Sequence, residues 1–224
     1  MSKQSFARLP ACVCVLLGLS TQAWAIGGVN TPDPLLPPVA GSYMNPFADH
    51  AIYSGPGILV DLMSIVHEPL PGAVRTPVGP DEVEDFDSSL HGQATVNGMG
   101  PFLVEMMGPV RTLVLNKVGN TTGTFDTEML AMSLTGVTPL GPLMVRESPT
   151  LPTLGKTSIN DLGGGLYHID SFFDVFTELS LDGGQTWMPS QSPTRVNLCP
   201  EPASIVLVGL ALVGLAGLMR RRGN

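Results

Sequence analysis

The sequence predicts an all-β, antiparallel body, sandwich-like with a barrel as the related alternative. Three observations carry that expectation. Gly (26) and Pro (21) make up about a fifth of the 224 residues, breaking the chain into short segments. From Ile58 onward, short apolar or alternating runs follow one another between those breakers, the spacing of an antiparallel sandwich or barrel. Gly165 to Trp187 then alternates with period two, which gives a strand one buried and one wet face. A hydrophobic content of 43% is too high for a wholly disordered chain. A net charge of −8 argues against a nucleic-acid surface. Four His and three Cys with no Cys-x-x-Cys pair leave little material for a zinc fold.

At the N-terminus, Lys3 and Arg8 precede the apolar stretch Ala11 to Leu19, and Ala23-Trp24-Ala25 follows as a small-x-small site. This is the layout of a secretory signal peptide over residues 1–25, cut by signal peptidase after Ala25. Nine apolar residues are too few to span a bilayer. Cys12 lies at the start of that stretch rather than after it, so lipidation is rejected. Residues 26–56 read as a linker, because Thr31-Pro32-Asp33-Pro34, Pro37-Pro38 and Ser54-Gly55-Pro56-Gly57 crowd it with breakers.

The body is assigned to residues 57–197. Its candidate strands are Ile58–Val66, Phe102–Met106, Val110–Leu115, Thr124–Leu134, Leu143–Val145 and Leu166–Leu181. Gly79-Pro80, Gly100-Pro101, Gly108-Pro109 and Gly141-Pro142 are read as turns between them. In the last run the odd positions from Tyr167 to Leu181 are mostly apolar, and His168, Asp170, Asp174 and Glu178 occupy even ones. A helix competes, since Phe172, Phe173, Phe176 and Leu179 also form a stripe. A helix would, however, stack three acids at i, i+4 and i+8, and the aromatic and β-branched content favours a strand, bent or broken along its length. On a strand Asp170 and Asp174 stand about 13 Å apart, too far to share a metal or to act as a glycosidase pair. Phe173, Val175, Leu179 and Trp187 are the candidate core.

Ser180-Leu181-Asp182-Gly183-Gly184-Gln185-Thr186-Trp187 fits S-x-D-x-G-x-T-W and resembles the Asp-box of sialidase-type β proteins. The resemblance implies a hairpin turn in which Asp182 caps backbone amides and Trp187 packs beneath, with Ser180, Gly184 and Thr186 completing the motif. One copy and scattered basic residues do not make a sialidase. The wording from Thr122 to Trp187 also resembles the bodies of other anchor-bearing secreted bacterial proteins, which implies β structure and no particular chemistry.

At the C-terminus, Pro200-Glu201-Pro202 precedes 17 uncharged residues, Ala203 to Met219, and then Arg220-Arg221-Arg222. A helix of that length covers about 25 Å, and snorkelling arginines make up the remainder of a bilayer core. The positive-inside rule places the arginines in the cytoplasm as a stop signal, hence the body outside. Together, residues 198–224 resemble the PEP-CTERM sorting signal of Gram-negative bacteria. That resemblance implies recognition by an exosortase-type transpeptidase in the membrane, then a place at the cell surface or in an extracellular polysaccharide matrix.

Between the two processing signals stand six basic and eighteen acidic residues, a net charge of −12, so contact with anionic polysaccharide would need divalent cations. Asp81, Glu82, Glu84, Asp85 and Asp87 form an acidic run whose oxygens would suit Ca²⁺, although it lacks EF-hand spacing and reads otherwise as a solvated loop. No other cofactor is expected. His50, His67, His91 and His168 have no metal-type spacing, and Cys199 is the lone mature cysteine. With no G-x-S-x-G, H-E-x-x-H or phosphate loop, no catalytic residue is assigned, and a non-catalytic surface or matrix protein is the favoured role. The rival is a secreted carbohydrate-active hydrolase whose acids, such as Glu105, Glu128 and Asp174, come from different strands.

Overall fold

The computed structural model describes residues 27–200 except residue 140, and these form strands and turns with no helix. Fourteen strands are present: β1 (Val29–Thr31), β2 (Gly41–Met44), β3 (Ala51–Gly55), β4 (Ile58–Pro69), β5 (Val74–Val78), β6 (Asp81–Val96), β7 (Met99–Val114), β8 (Gly123–Thr138), β9 (Gly141–Glu147), β10 (Thr153–Gly163), β11 (Leu166–Val175), β12 (Thr177–Ser180), β13 (Met188–Pro189) and β14 (Thr194–Pro200). Every pairing is antiparallel.

The order of pairing closes the sheet. β11, β14, β2, β4, β6, β7, β8 and β10 form a ring, because β10 bonds both β8 and β11. The body is therefore an eight-stranded barrel, not two stacked sheets. The expectation of a sandwich fails because long strands of 16 residues, β6, β7 and β8, twist and coil enough to bring the sheet back on itself.

Four walls of the barrel are composite. β2 and β3 lie end to end along β4, and β9 and β10 lie end to end along β8. β11 and β12 continue one another across Phe176, pairing with β14 and then with β9. β13 and β14 run along that wall in turn. At the β13 level the circle is completed by the Tyr53–Ser190 bridge and by the Gln191 amide donating to Ile52 O at 2.9 Å. Each wall bonds the next in chain order, so the topology is an up-and-down meander.

Residues 26–56 are not a linker. They supply β1, β2 and β3, and Tyr43, Ala51 and Tyr53 are buried. The prolines that suggested a linker stand between these strands at 32, 34, 37, 38, 46 and 56. The body's last strand likewise runs past 197 to Pro200. Gly108-Pro109 is no turn either: it lies inside β7, fusing two expected runs. A Cβ on Gly108 would stand 2.0 Å from Ser133 O, so only glycine allows β8 so close.

Alternation decides what faces inward. Ile169, Ser171, Phe173, Val175, Thr177 and Leu179 are all buried, continuing unbroken across the β11–β12 break as period two requires. Leu62, Met106, Val114, Leu134, Val145 and Leu198 fill the interior from the other walls. Trp187 departs from the expected core, being only half-buried at the barrel's edge. The outward positions mix ion pairs, Arg111–Asp85 and Arg195–Asp174, with exposed apolar side chains such as Leu103, Met107, Val137 and Leu154. Among the described residues no helix is long and apolar enough to cross a membrane. Ala23, Ala25, Glu201, Pro202, Ala203–Met219, Arg220, Arg221 and Arg222 lie outside the described residues.

Candidate functional site

One end of the barrel interior holds a concentration of polar groups. β6 places Glu84 inside because it shares a face with Phe86, Ser88 and Leu90. Its carboxylate is 2% exposed. Oε2 accepts a 2.9 Å hydrogen bond from Thr112 Oγ1 of β7, whereas Oε1 has no protein partner. Burial pushes the Glu84 carboxyl up to about 7; the Thr112 hydrogen bond opposes the rise, Glu82 adds to it, and the charges of Arg75 and Lys117 also oppose it. Thr127 Oγ1, on β8, is buried and likewise without a protein partner.

Around them run hydroxyl links between walls. Tyr43 Oη donates to Ser171 Oγ at 3.1 Å, and Ser171 Oγ lies 2.7 Å from Thr157 Oγ1. Burial raises the Tyr43 phenol well above its ordinary range. His67 Nε2 is 2.8 Å from Ser88 Oγ, and burial lowers the imidazole to about 4, which leaves it neutral at physiological pH. These groups border a cavity of about 30 Å³ beneath Leu36, room for about two water molecules. A second cavity of about 40 Å³ lies next along the interior, sharing His67, Met129 and Val196, and Thr194 Oγ1 there is also unpartnered.

The acidic run behaves differently from its sequence reading. Asp81, Glu82, Glu84, Asp85 and Asp87 are on strand β6, not in a loop. A strand sends successive side chains to opposite faces, so Glu84 goes inside while Asp85 goes outside to pair with Arg111 at 2.6 Å. Asp81 accepts the Asn116 amide at 2.8 Å, and Asp87 is exposed. The five carboxylates cannot converge on one Ca²⁺. Among the described residues no group of three or more His, Cys, Asp or Glu is placed to hold a metal.

Ser180, Asp182, Gly184, Thr186 and Trp187 meet in the turn between β12 and β13. Asp182 Oδ1 accepts the Gln185 and Thr186 amides at 3.0 and 2.9 Å, and Oδ2 accepts Thr186 Oγ1 at 2.6 Å. Ser180 Oγ donates to Asp182 Oδ1 at 2.7 Å and accepts the Gly184 amide at 2.9 Å. Gly183 and Gly184 have φ of 74° and 88°, a region glycine enters without cost. Trp187 Nε1 donates to Gly184 O at 3.0 Å. Every polar group of the motif is spent on the turn itself.

Glu105, Glu128 and Asp174 do not come together. They lie on β7, β8 and β11, and Asp174 is held by a two-point contact with Arg195. Glu128 and Asp174 flank Leu154 on its two neighbouring strands, about 10 Å apart by strand spacing. A residue missed in the sequence, Glu147, shares a shallow groove of about 320 Å³ with Glu128. Burial first, and the Glu128 charge next, raise the Glu147 carboxyl to about 7. Comparison with protein-family models, curated proteins and solved structures found no match. The chain's own geometry therefore defines it: a closed, up-and-down, eight-walled antiparallel barrel with a nearly filled interior.

Proposed function

We propose that this chain is an exported, non-catalytic surface or extracellular-matrix protein whose barrel is delivered by the signal peptide and held, then processed, through the PEP-CTERM-like segment. The observation that carries this reading is the hydrogen bond from the Gly28 amide to Leu198 O, 2.9 Å long. Gly28 stands three residues after the expected cut at Ala25, and Leu198 two residues before Pro200-Glu201-Pro202. The folded unit thus fills the interval between the two processing signals, with both ends of its chain at one place on the barrel. β14 ends at Pro200, which pairs with Gly41, so the sorting motif begins where the wall stops. A body of this kind leaves signal peptidase and an exosortase-type transpeptidase as its processing partners, with the membrane as a temporary anchor.

Fractionating cells that express the full chain and a chain lacking 203–224 tests the reading. The full chain is expected in the membrane fraction or processed at the surface, and the truncated chain free in the exported fluid. A truncated chain that stays with the membrane contradicts it.

A second reading, a carbohydrate-active hydrolase, is favoured by one observation, the groove shared by Glu128 and Glu147. A carboxyl raised by burial, as Glu147 is, with a second carboxylate beside it is the raw material of acid–base chemistry. A glycan-hydrolysis screen of the full chain and Glu147→Gln decides it: activity lost in the variant supports the hydrolase, and no turnover by either supports the non-catalytic role.

A further inference from the structure

The segment between β1 and β2 crosses the mouth of the barrel above Glu84. Leu35 and Val39 face solvent, whereas Leu36, Pro37 and Pro38 are buried, and Leu36, 3% exposed, lines the barrel cavity. The segment is pinned from the far side, where Arg75 Nε donates to Leu36 O at 2.6 Å and Nη1 to Ala73 O at 3.3 Å. Beneath Leu36 lies the cavity into which Glu84 Oε1 and Thr127 Oγ1 open without protein partners.

Orphaned polar atoms in a dry interior cost free energy, so native proteins seldom keep them without an occupant to satisfy them. Here three of the four such side-chain atoms found among the described residues line the two adjoining cavities. Water can fill the space as it stands. Apart from His67, Thr112 and Thr157, whose polar atoms already have protein partners, the rest of the lining, Phe86, Val114, Met129 and Phe173 among it, offers water little and apolar carbon much.

We propose that the barrel interior beneath Leu36 is a binding site for a small uncharged molecule, mainly apolar and bearing one hydroxyl or carboxylic acid group, with the Leu36–Pro37 segment as its plug. The polar group meets Glu84 Oε1 and Thr127 Oγ1, and the apolar remainder takes the volume that Leu36 vacates. Charged ligands are excluded from both sides. An anion would confront Glu84, and a cation would lose its hydration in a mostly apolar lining that offers a single carboxyl in return.

Phenol and benzene serve as probes, added to the purified full chain and followed by titration calorimetry and by the melting temperature. Phenol should bind Leu36→Ala at least tenfold more tightly than the unaltered chain, since deleting the plug leaves a cavity of the kind that takes up benzene-sized molecules. Adding Glu84→Leu and Thr127→Val to Leu36→Ala should weaken phenol about tenfold and leave benzene as tight or tighter. Arg75→Ala removes the pin without touching the cavity, so it gives the same test, and the same phenol gain, should Leu36→Ala fail to fold. The proposal is overturned if phenol does not bind the folded plug or pin variant. It is also overturned if phenol binds undiminished after the polar atoms are removed, which would mark general apolar uptake.

Discussion

The Arg146 guanidinium lies over the Trp187 ring, its carbon 4.0 Å from the ring centroid. The same guanidinium donates from Nε and Nη2 to Glu178 Oε2 at 2.9 and 2.6 Å. Two walls of the barrel are thereby tied to the β12–β13 turn, because Arg146 belongs to β9 and Glu178 to β12.

The chain has two tryptophans, Trp24 and Trp187, so in a chain expressed from residue 26 onward the fluorescence reports this stack alone. Arg146→Ala should red-shift the emission as water reaches the ring face. The unfolding free energy should fall by about 1 kcal/mol, the worth of a partly exposed cation–π contact together with a screened ion pair. Arg146→Lys should recover little, since an ammonium has no plane to lay on the indole. Emission spectra and urea unfolding of the two variants are the measurements, and an unchanged spectrum in Arg146→Ala counts against the stack.

Asp182 closes the neighbouring turn through two backbone amides and two hydroxyls, and these hydrogen bonds hold its carboxyl down to about 2. Its sign is that of a depressed acid: the turn is fully supported above the ordinary carboxylate value and loses support as pH falls through about 2. Carbon-detected NMR titration of the Asp182 carboxyl should therefore give a midpoint well below that of an exposed aspartate. Asp182→Ala should speed amide exchange at Gln185 and Thr186, while exchange at Leu134 in the barrel wall stays slow. Equal exchange at both places in the variant would mean that the turn is part of the global folding unit.

Much of the wall was legible because inside and outside differ in polarity. The odd-numbered face from Ile169 to Leu179 could be read directly, and so could the break that the structure puts at Phe176. Closure could not be read, since it joins 41–55 to 188–200 and no local pattern encodes a contact of that span. β5 carried a misleading signal of its own: Pro77 sits in it without penalty because β5 bonds only β6, and edge strands tolerate a missing donor. The acidic run hid Glu84, as charges are poor strand formers. Running the period back from Leu90 and Phe86 lands on Glu84, and that signal was available. The composite wall was only half legible: Leu143–Val145 marked β9, whereas β10 (Thr153–Gly163), whose Gly155, Lys156, Asn160 and Asp161 interrupt any apolar run, went unread.

Gly108 tests how tightly that wall is coiled. A methyl group there would meet Ser133 O, a backbone atom, and neither strand can retreat without breaking the ladder on its other side, where Ser88 pairs with Gly108. Gly108→Ala should lower the unfolding free energy by about 2–3 kcal/mol, the range for overpacking a filled interior. Gly57→Ala, at a turn where nothing stands within 4 Å of the added carbon, isolates the separate penalty of a positive φ. Urea unfolding of both variants compares the two. Equal losses would show that β7 and β8 have room to part at Gly108.

Glu84 and His67 border the same cavity, and burial moves them in opposite senses, the carboxyl up to about 7 and the imidazole down to about 4. Between pH 4.5 and about 7 folded Glu84 keeps a proton that the unfolded chain has released, so this residue makes stability fall as pH rises through that window. Between 6.5 and about 4 the unfolded chain protonates His67 while the folded barrel does not, so His67 makes stability fall as pH drops. Each contribution is roughly 3 kcal/mol over its window. From 4.5 to 6.5 the two slopes oppose and largely cancel, giving a flat profile that declines below 4.5 and again between 6.5 and about 7. Glu147, also raised to about 7, steepens the upper decline only modestly because solvent screens it. Glu84→Gln should abolish most of that decline, leaving stability that climbs from pH 4 to 6.5 and then holds. His67→Gln, which can still bond Ser88, should do the reverse: steady from pH 4 to 4.5, then falling to about 7. Urea unfolding at half-unit steps from pH 4 to 8, with Glu147→Gln measured alongside, separates the three. A Glu84→Gln profile superimposable on that of the unaltered chain would mean that Glu84 titrates in the barrel as it does in the open chain.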